Sequence, residues 1–213
     1  MYLSFKEIEG REFREIVRYY EDHLFQIKQL EFEEYFELQV AYLNALFEIG
    51  AYRKYLDLVE KSIEATILHN IKYHKGEDIF QKLLFKKAAS FYHLMEYKRS
   101  EHVLRELVKM NPHDEAVILL LKKTLRKSKV NLVKRTRAVS IFLFLLTAVV
   151  ICVELLFVRN FIAQYTPQAE LLRNGIFALG CLILMSGDLI NYWKVSHLVN
   201  IYVEAARERK SHK

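Results

Sequence analysis

The sequence predicts an all-α protein, and three observations carry that expectation. Gly and Pro number only 6 and 2 among 213 residues, which leaves few helix breakers and little material for tight hairpin turns. From Leu83 to Pro112, small or apolar residues recur every three or four positions, the spacing that two packed helices require. Residues 138 to 193 are nearly free of charge, whereas residues 1 to 137 mix charged and apolar side chains. The chain is therefore expected to fold in two solvents.

The opening decapeptide MYLSFKEIEG is charged and lacks an apolar core, so no secretory signal is read there and the N-terminal part is expected to stay where it is made. Residues 11 to 30 then read as one amphipathic helix. Next, VAYLNALFEIGAYRKYLDLVEKSI (Val40 to Ile63) and LLFKKAASFYHLMEYKRSEHVLRELVKMNP (Leu83 to Pro112) each read as a helix, a turn and a second helix. Their turns lie at Gly50 and Tyr52 and at Glu96 and Tyr97, and the second closes at Asn111 and Pro112. Gly76, within HNIKYHKGED, is the expected break between the two pairs. Residues 114 to 126 read as a further, capping helix.

These two segments resemble tetratricopeptide repeats (TPR), and the resemblance covers about residues 35 to 126. Two departures stand out. Tyr55 occupies a position where the family prefers a small residue, which predicts looser or rearranged packing. The spacing from Tyr52 to Tyr97 is 45 residues against 34 in a regular array. The resemblance implies antiparallel helical repeats that bind a peptide or helix of a protein partner on a concave surface. In the family's register that groove presents Asn44, Phe47 and Glu48 from the first repeat and Lys82, Lys86, Tyr92 and His93 from the second. Asn44, Lys82 and Lys86 are similar to the set that clamps a peptide carboxylate, although Val40 stands where a lysine belongs.

The segment from Lys122 to Arg137 carries eight Lys or Arg in sixteen residues and no acid. Within it Lys129, Lys134, Arg135 and Arg137 are candidates for anionic lipid headgroups. Two apolar runs come next, Ala138 to Val158 and about Leu171 to Trp193. Each is long enough at about 1.5 Å per residue to cross a hydrocarbon core of about 30 Å. The connection RNFIAQYTPQAE is short, which predicts a transmembrane helical hairpin. Its loop is poor in Lys and Arg while both flanks are rich in them, so both termini are expected in the cytoplasm, with a bacterial inner membrane as the expected location. Val195, Leu198, Val199, Tyr202, Val203 and Ala206 continue a helical stripe beyond Trp193, predicting an amphipathic tail helix. That stripe packs either on the helix running from Asp114 to Arg137 or on a second copy. The expected divisions are thus 1 to 127, 128 to 137, 138 to 193 and 194 to 213.

Glu154 and Asp188 are the acids within the apolar runs, and an ionisable group there needs a partner. Asp188 lies at the level of Arg137 and Lys134, and Glu154 at the level of Arg159 and Arg173. Gly180 and Gly187, seven apart, are expected to admit Ala148 or Cys152 of the first run.

Enzyme signatures are missing: there is no glycine-rich phosphate loop, HExxH, CxxC or nucleophile elbow. No cofactor or metal is expected, since the histidines are scattered and Cys152 and Cys181 both sit in apolar runs. The net charge of +6 is concentrated beside the apolar runs and does not indicate nucleic acid. The expectation is a membrane-anchored adaptor or scaffold that recruits a protein partner. The alternative is a two-span effector or channel component that oligomerises through its spans or tail.

Overall fold

A computed structural model describes residues 2, 5, 8, 12–74, 76–128, 131–158, 160 and 163–211. The chain divides into two compact units, Met1–Thr124 with Val203–Lys213, and Leu125–Tyr202. It is nearly all α, with one minimal antiparallel β pair among the described residues, β1 (Tyr73–His74) and β2 (Glu77–Asp78). Gly76 supplies its turn at φ +82°.

In the first unit the expected single helix over residues 11 to 30 is two. The helix α1 (Phe13–Asp22) stops at His23, and α2 (Leu24–Ile27) is a separate turn. The reason is local: the His23 backbone N–H donates to Tyr19 O (3.1 Å), ring Nδ1 lies 2.9 Å from the same carbonyl, and the His23 ring stacks on Tyr19. These contacts satisfy a carbonyl of the last turn of α1.

α3 (Phe32–Glu48) is apolar around most of its circumference, burying Phe36, Leu38, Val40, Tyr42, Leu43, Ala45 and Leu46. A helix with that pattern belongs inside a bundle, and α3 packs on α1 on one side and α4 (Tyr52–Leu68) on the other. α5 (Ile79–His93) is capped by Asp78, whose carboxylate accepts from Gln81 N and Gln81 Nε2, both at 2.9 Å. α6 (Tyr97–Met110) packs back on α5. α7 (Glu115–Ser128) starts at Asp114, which accepts from Ala116 N and Val117 N.

The two helix–turn–helix pairs share one turn geometry at an offset of 45 residues. Ala51 N donates to Leu46 O at 2.9 Å, and Glu96 N to Phe91 O at 2.9 Å; Gly50 N reaches Phe47 O, and Met95 N reaches Tyr92 O. Both turns need a left-handed residue, supplied by Gly50 at φ +80° and Met95 at φ +62°.

At the same offset Tyr55 matches Ser100, and both are fully buried. The packing at Tyr55 is therefore not loose. Its ring fills the interior and its hydroxyl donates to Leu83 O of α5 at 3.1 Å, while the smaller Ser100 donates to Ala88 O at 2.8 Å.

The second unit is built on α8 (Asn131–Val153), a π-helical turn (Glu154–Val158) and most of α9 (Thr166–Ser211). The stretches Val133–Phe157 and Thr166–Ser211 are long and apolar enough to cross a membrane. Lys134, Arg135 and Arg137 lie on the first turns of α8, and the tail is the continuation of α9 without a break.

Replacing Gly50 by Ala leaves side-chain room but strains the backbone, since the nearest atom to an added Cβ is 3.9 Å away. Unfolding of the detergent-solubilised full chain, monitored by circular dichroism, is expected to show a loss of about 1 kcal/mol for Gly50→Ala and a gain of similar size for Met95→Gly.

Burial pushes the phenols of Tyr20 and Tyr55 well above their ordinary value. The folded chain thus holds these protons more tightly than the unfolded chain. Stability is full below about pH 10 and declines as pH rises beyond it. Tyr55→Phe is expected to lower stability at neutral pH by about 1 kcal/mol through the lost hydrogen bond and to flatten the alkaline decline, measured as unfolding midpoints from about pH 8 to pH 11.

Candidate functional site

The first unit holds a cavity of about 320 Å³ where α1, α3, β1 and α5 converge. Val40, Ala41, Asn44 and Glu48 lie one helical turn apart on one face of α3, and Ile79, Lys82 and Lys86 do so on α5; Phe13, Ile16 and His74 complete the lining. Ile16, Val40 and Ile79 are buried. The result is an apolar floor under a polar rim of Asn44, Glu48, Lys82, Lys86 and His74.

Both rim lysines have acidic partners in the chain. Lys86 Nζ lies 3.0 Å from Glu48 Oε1 and 4.6 Å from the centre of the Phe47 ring. Lys82 pairs with Glu77, whose carboxyl is held below its ordinary value chiefly by that hydrogen bond. An arriving carboxylate must therefore compete with Glu48 and Glu77.

The seven residues expected on one concave surface fall into two groups that meet where Lys86 lies over the Phe47 ring. Asn44, Glu48, Lys82 and Lys86 line the cavity. Phe47, Tyr92 and His93 instead belong to an aromatic cluster by the α3–α4 turn: His93 stacks on Tyr52 at 4.5 Å, Phe47 meets Tyr52 and Tyr55 edge-on, and Tyr92 meets His93 and Tyr97. Aromatic rings at a turn gain more from one another than from solvent. The sequence reading missed Phe13, Ile16 and His74, which come from outside the repeat-like segments.

In the second unit the expected ionic partners meet, with very different environments. Glu154 is 1% exposed and accepts from Arg173 at 3.0 Å. Asp188 and Arg137 are more than half exposed and approach only to 3.4 Å. Lys129 and Arg159 lie outside the described residues.

The glycine partners differ from those expected. A Cβ on Gly180 would meet the Phe144 ring, and one on Gly187 would overlap the Thr136 side chain. The antiparallel register set by Glu154 with Arg173 and Arg137 with Asp188 places those residues, not Ala148 or Cys152, opposite the glycines.

The contact face of α8 is also polar, which the sequence reading missed. Ser140, Thr147 and Glu154 are seven residues apart and buried, as are Gly180 and Gly187 on α9, where Arg173, Gly180 and Gly187 repeat with the same period. The hydroxyls of Ser140 and Thr147 donate to Thr136 O and Leu143 O of their own helix. The signal was the seven-residue spacing itself, common to both runs.

The tail stripe is partly accounted for within the chain. Val195, Val199, Val203 and Ala206 are buried, while Leu198 is exposed. In the first unit, Arg207 Nε donates to Pro112 O at 3.3 Å and Lys210 Nζ to Met110 O at 2.7 Å. No group of His, Cys, Asp and Glu able to hold a metal occurs among the described residues.

Removing one partner of a buried ion pair strands the other. Glu154→Ala is expected to lower stability in detergent by about 3 kcal/mol, and Asp188→Ala by less than about 1 kcal/mol, both read from thermal unfolding. The double change Glu154→Leu with Arg173→Met should recover most of the first loss.

Comparison of the chain with protein-family models, with characterised proteins and with solved structures returned no match.

Proposed function

We propose that this chain is a membrane-anchored, tetratricopeptide-like adaptor. Its two long helices form a transmembrane hairpin with both termini in the cytoplasm, and its first unit captures an extended or helical segment of a protein partner over the α1–α3–α5 cavity. The observation that carries this reading is the dual membership of α9. One helix supplies a membrane-length apolar stretch and, in its last turns, the buried Val203 and Ala206 and the Arg207 and Lys210 hydrogen bonds of the first unit.

The cavity supports the binding role. Its apolar floor offers burial and its charged rim offers orientation, the combination found in peptide and ligand clefts. The inward placement of Ser140, Thr147 and Glu154 argues against the channel alternative. Those hydroxyls are bonded to their own helix and the carboxylate to Arg173, whereas the outward faces carry Phe142, Leu145, Val149, Leu182 and Met185, a surface suited to lipid.

Affinity purification of cross-linked full-length protein from membranes tests the adaptor role. Lys82→Glu with Lys86→Glu reverses the rim charge and is expected to reduce partner recovery at least tenfold, with the protein still resisting extraction by alkaline carbonate. Unchanged recovery would remove the cavity as the binding site. Rapid dye leakage from vesicles containing the pure protein would favour the channel alternative.

A further inference from the structure

The end of the α8–α9 pair that carries Arg137 holds a second cluster. The Arg126 guanidinium lies over the Tyr192 ring, 4.1 Å from its centre. Its Nε is buried and has no hydrogen-bond partner among the described residues. One helical turn earlier on α9, Arg137 reaches Asp188 at 3.4 Å and 3.5 Å. Asp188 and Tyr192 are four residues apart and so share a face, which brings the guanidinium groups of Arg137 and Arg126 to adjacent turns of that face. Lys134, Arg135 and Lys194 are exposed nearby in sequence. Trp193, beside Tyr192, is 69% exposed, and Leu189 and Ile190 are exposed as well.

We propose that Arg126, held on Tyr192, and Arg137, held on Asp188, form a binding site for the phosphodiester headgroup of an anionic phospholipid. This rests on the reading that α8 and α9 cross a membrane. The chemistry fits in three ways. A stacked arginine is already ordered, so little rotamer freedom is lost when its fork meets phosphate oxygens. The cluster carries net positive charge, because it holds two arginines and one acid. Trp and Tyr prefer the headgroup level, and the adjoining apolar residues give the acyl chains somewhere to lie. The 3.4 Å approach and high exposure of the Arg137 pair leave that guanidinium able to turn toward a stronger anion.

Trp193 is the one tryptophan of the chain and reports this place directly. The full-length protein is reconstituted into phosphatidylcholine vesicles that contain either brominated phosphatidylglycerol or brominated phosphatidylcholine at equal mole fraction. Bromine quenches tryptophan on contact. Both lipids should quench Trp193, with phosphatidylglycerol favoured about fivefold or more, as expected for one or two arginines at a membrane surface. Arg126→Gln with Arg137→Gln should reduce the preference to near unity while quenching by both lipids persists, and Tyr192→Ala should weaken it. Added inorganic phosphate should leave the wild-type preference unchanged.

Equal quenching by both lipids in the wild type overturns the headgroup site and leaves the membrane reading intact. A preference that survives in the double variant also overturns it. Loss of preference on adding inorganic phosphate assigns the cluster to a soluble anion and overturns the lipid. Absence of quenching by either lipid overturns the membrane reading, and this site with it.

Discussion

The second unit is organised by one contact, the carboxylate of Glu154 against the guanidinium of Arg173. An acid that is 1% exposed within an apolar pair of helices is tolerated only with a partner of opposite charge. Once those two meet, the antiparallel register of α8 on α9 is set. Gly180 then falls against Phe144 and Gly187 against Thr136, where any larger residue would hold the helices apart. Small residues and a single buried pair thus fix the close approach of these two helices. The π-helical turn begins at Glu154 itself. A wider turn is uncommon and recurs at places where a side chain has a special task.

The first unit solves a different problem with a repeated device. The turns at Gly50 and Met95 close with equivalent hydrogen bonds, yet the buried residue five positions beyond each turn differs greatly in bulk. Ser100 bonds to Ala88 O, whereas Tyr55 reaches across to Leu83 O. Both choices satisfy a buried hydroxyl, which matters more than its size. The same backbone turn is therefore followed by a bulky buried residue in one helix pair and by a small one in the other.

What could be read from sequence was what periodicity and charge control. The helical class, two membrane-length helices and the meeting of Glu154 with Arg173 come from spacing and from the high energy of an unpaired charge in an apolar setting. Other features depend on distant neighbours. His23 ends α1 because its ring and backbone share the Tyr19 carbonyl, a competition that an amphipathic pattern does not register. Phe47, Tyr92 and His93 gather with Tyr52 and Tyr97 in ring contacts that helical register alone does not show. Phe13 and Ile16 entered the cavity from a helix outside the repeat-like segments, and Ser140 and Thr147 are buried with Glu154 on the face of α8 turned to α9.

The rim of the cavity has a consequence for selectivity. Lys86 already touches Glu48 and the Phe47 ring, and Lys82 already pairs with Glu77. Exchanging one exposed carboxylate for another gains little, because surface ion pairs are worth at most about 1 kcal/mol. A single terminal carboxylate therefore offers this rim no advantage over the chain's own glutamates. A segment that also places an apolar side chain over Ile16, Val40 and Ile79 gains burial that Glu48 and Glu77 cannot supply, at about 25 cal/mol per Å² of apolar surface. The cavity thus joins two chemistries, an apolar floor at Ile16, Val40 and Ile79 and a rim whose lysines are already charge-matched.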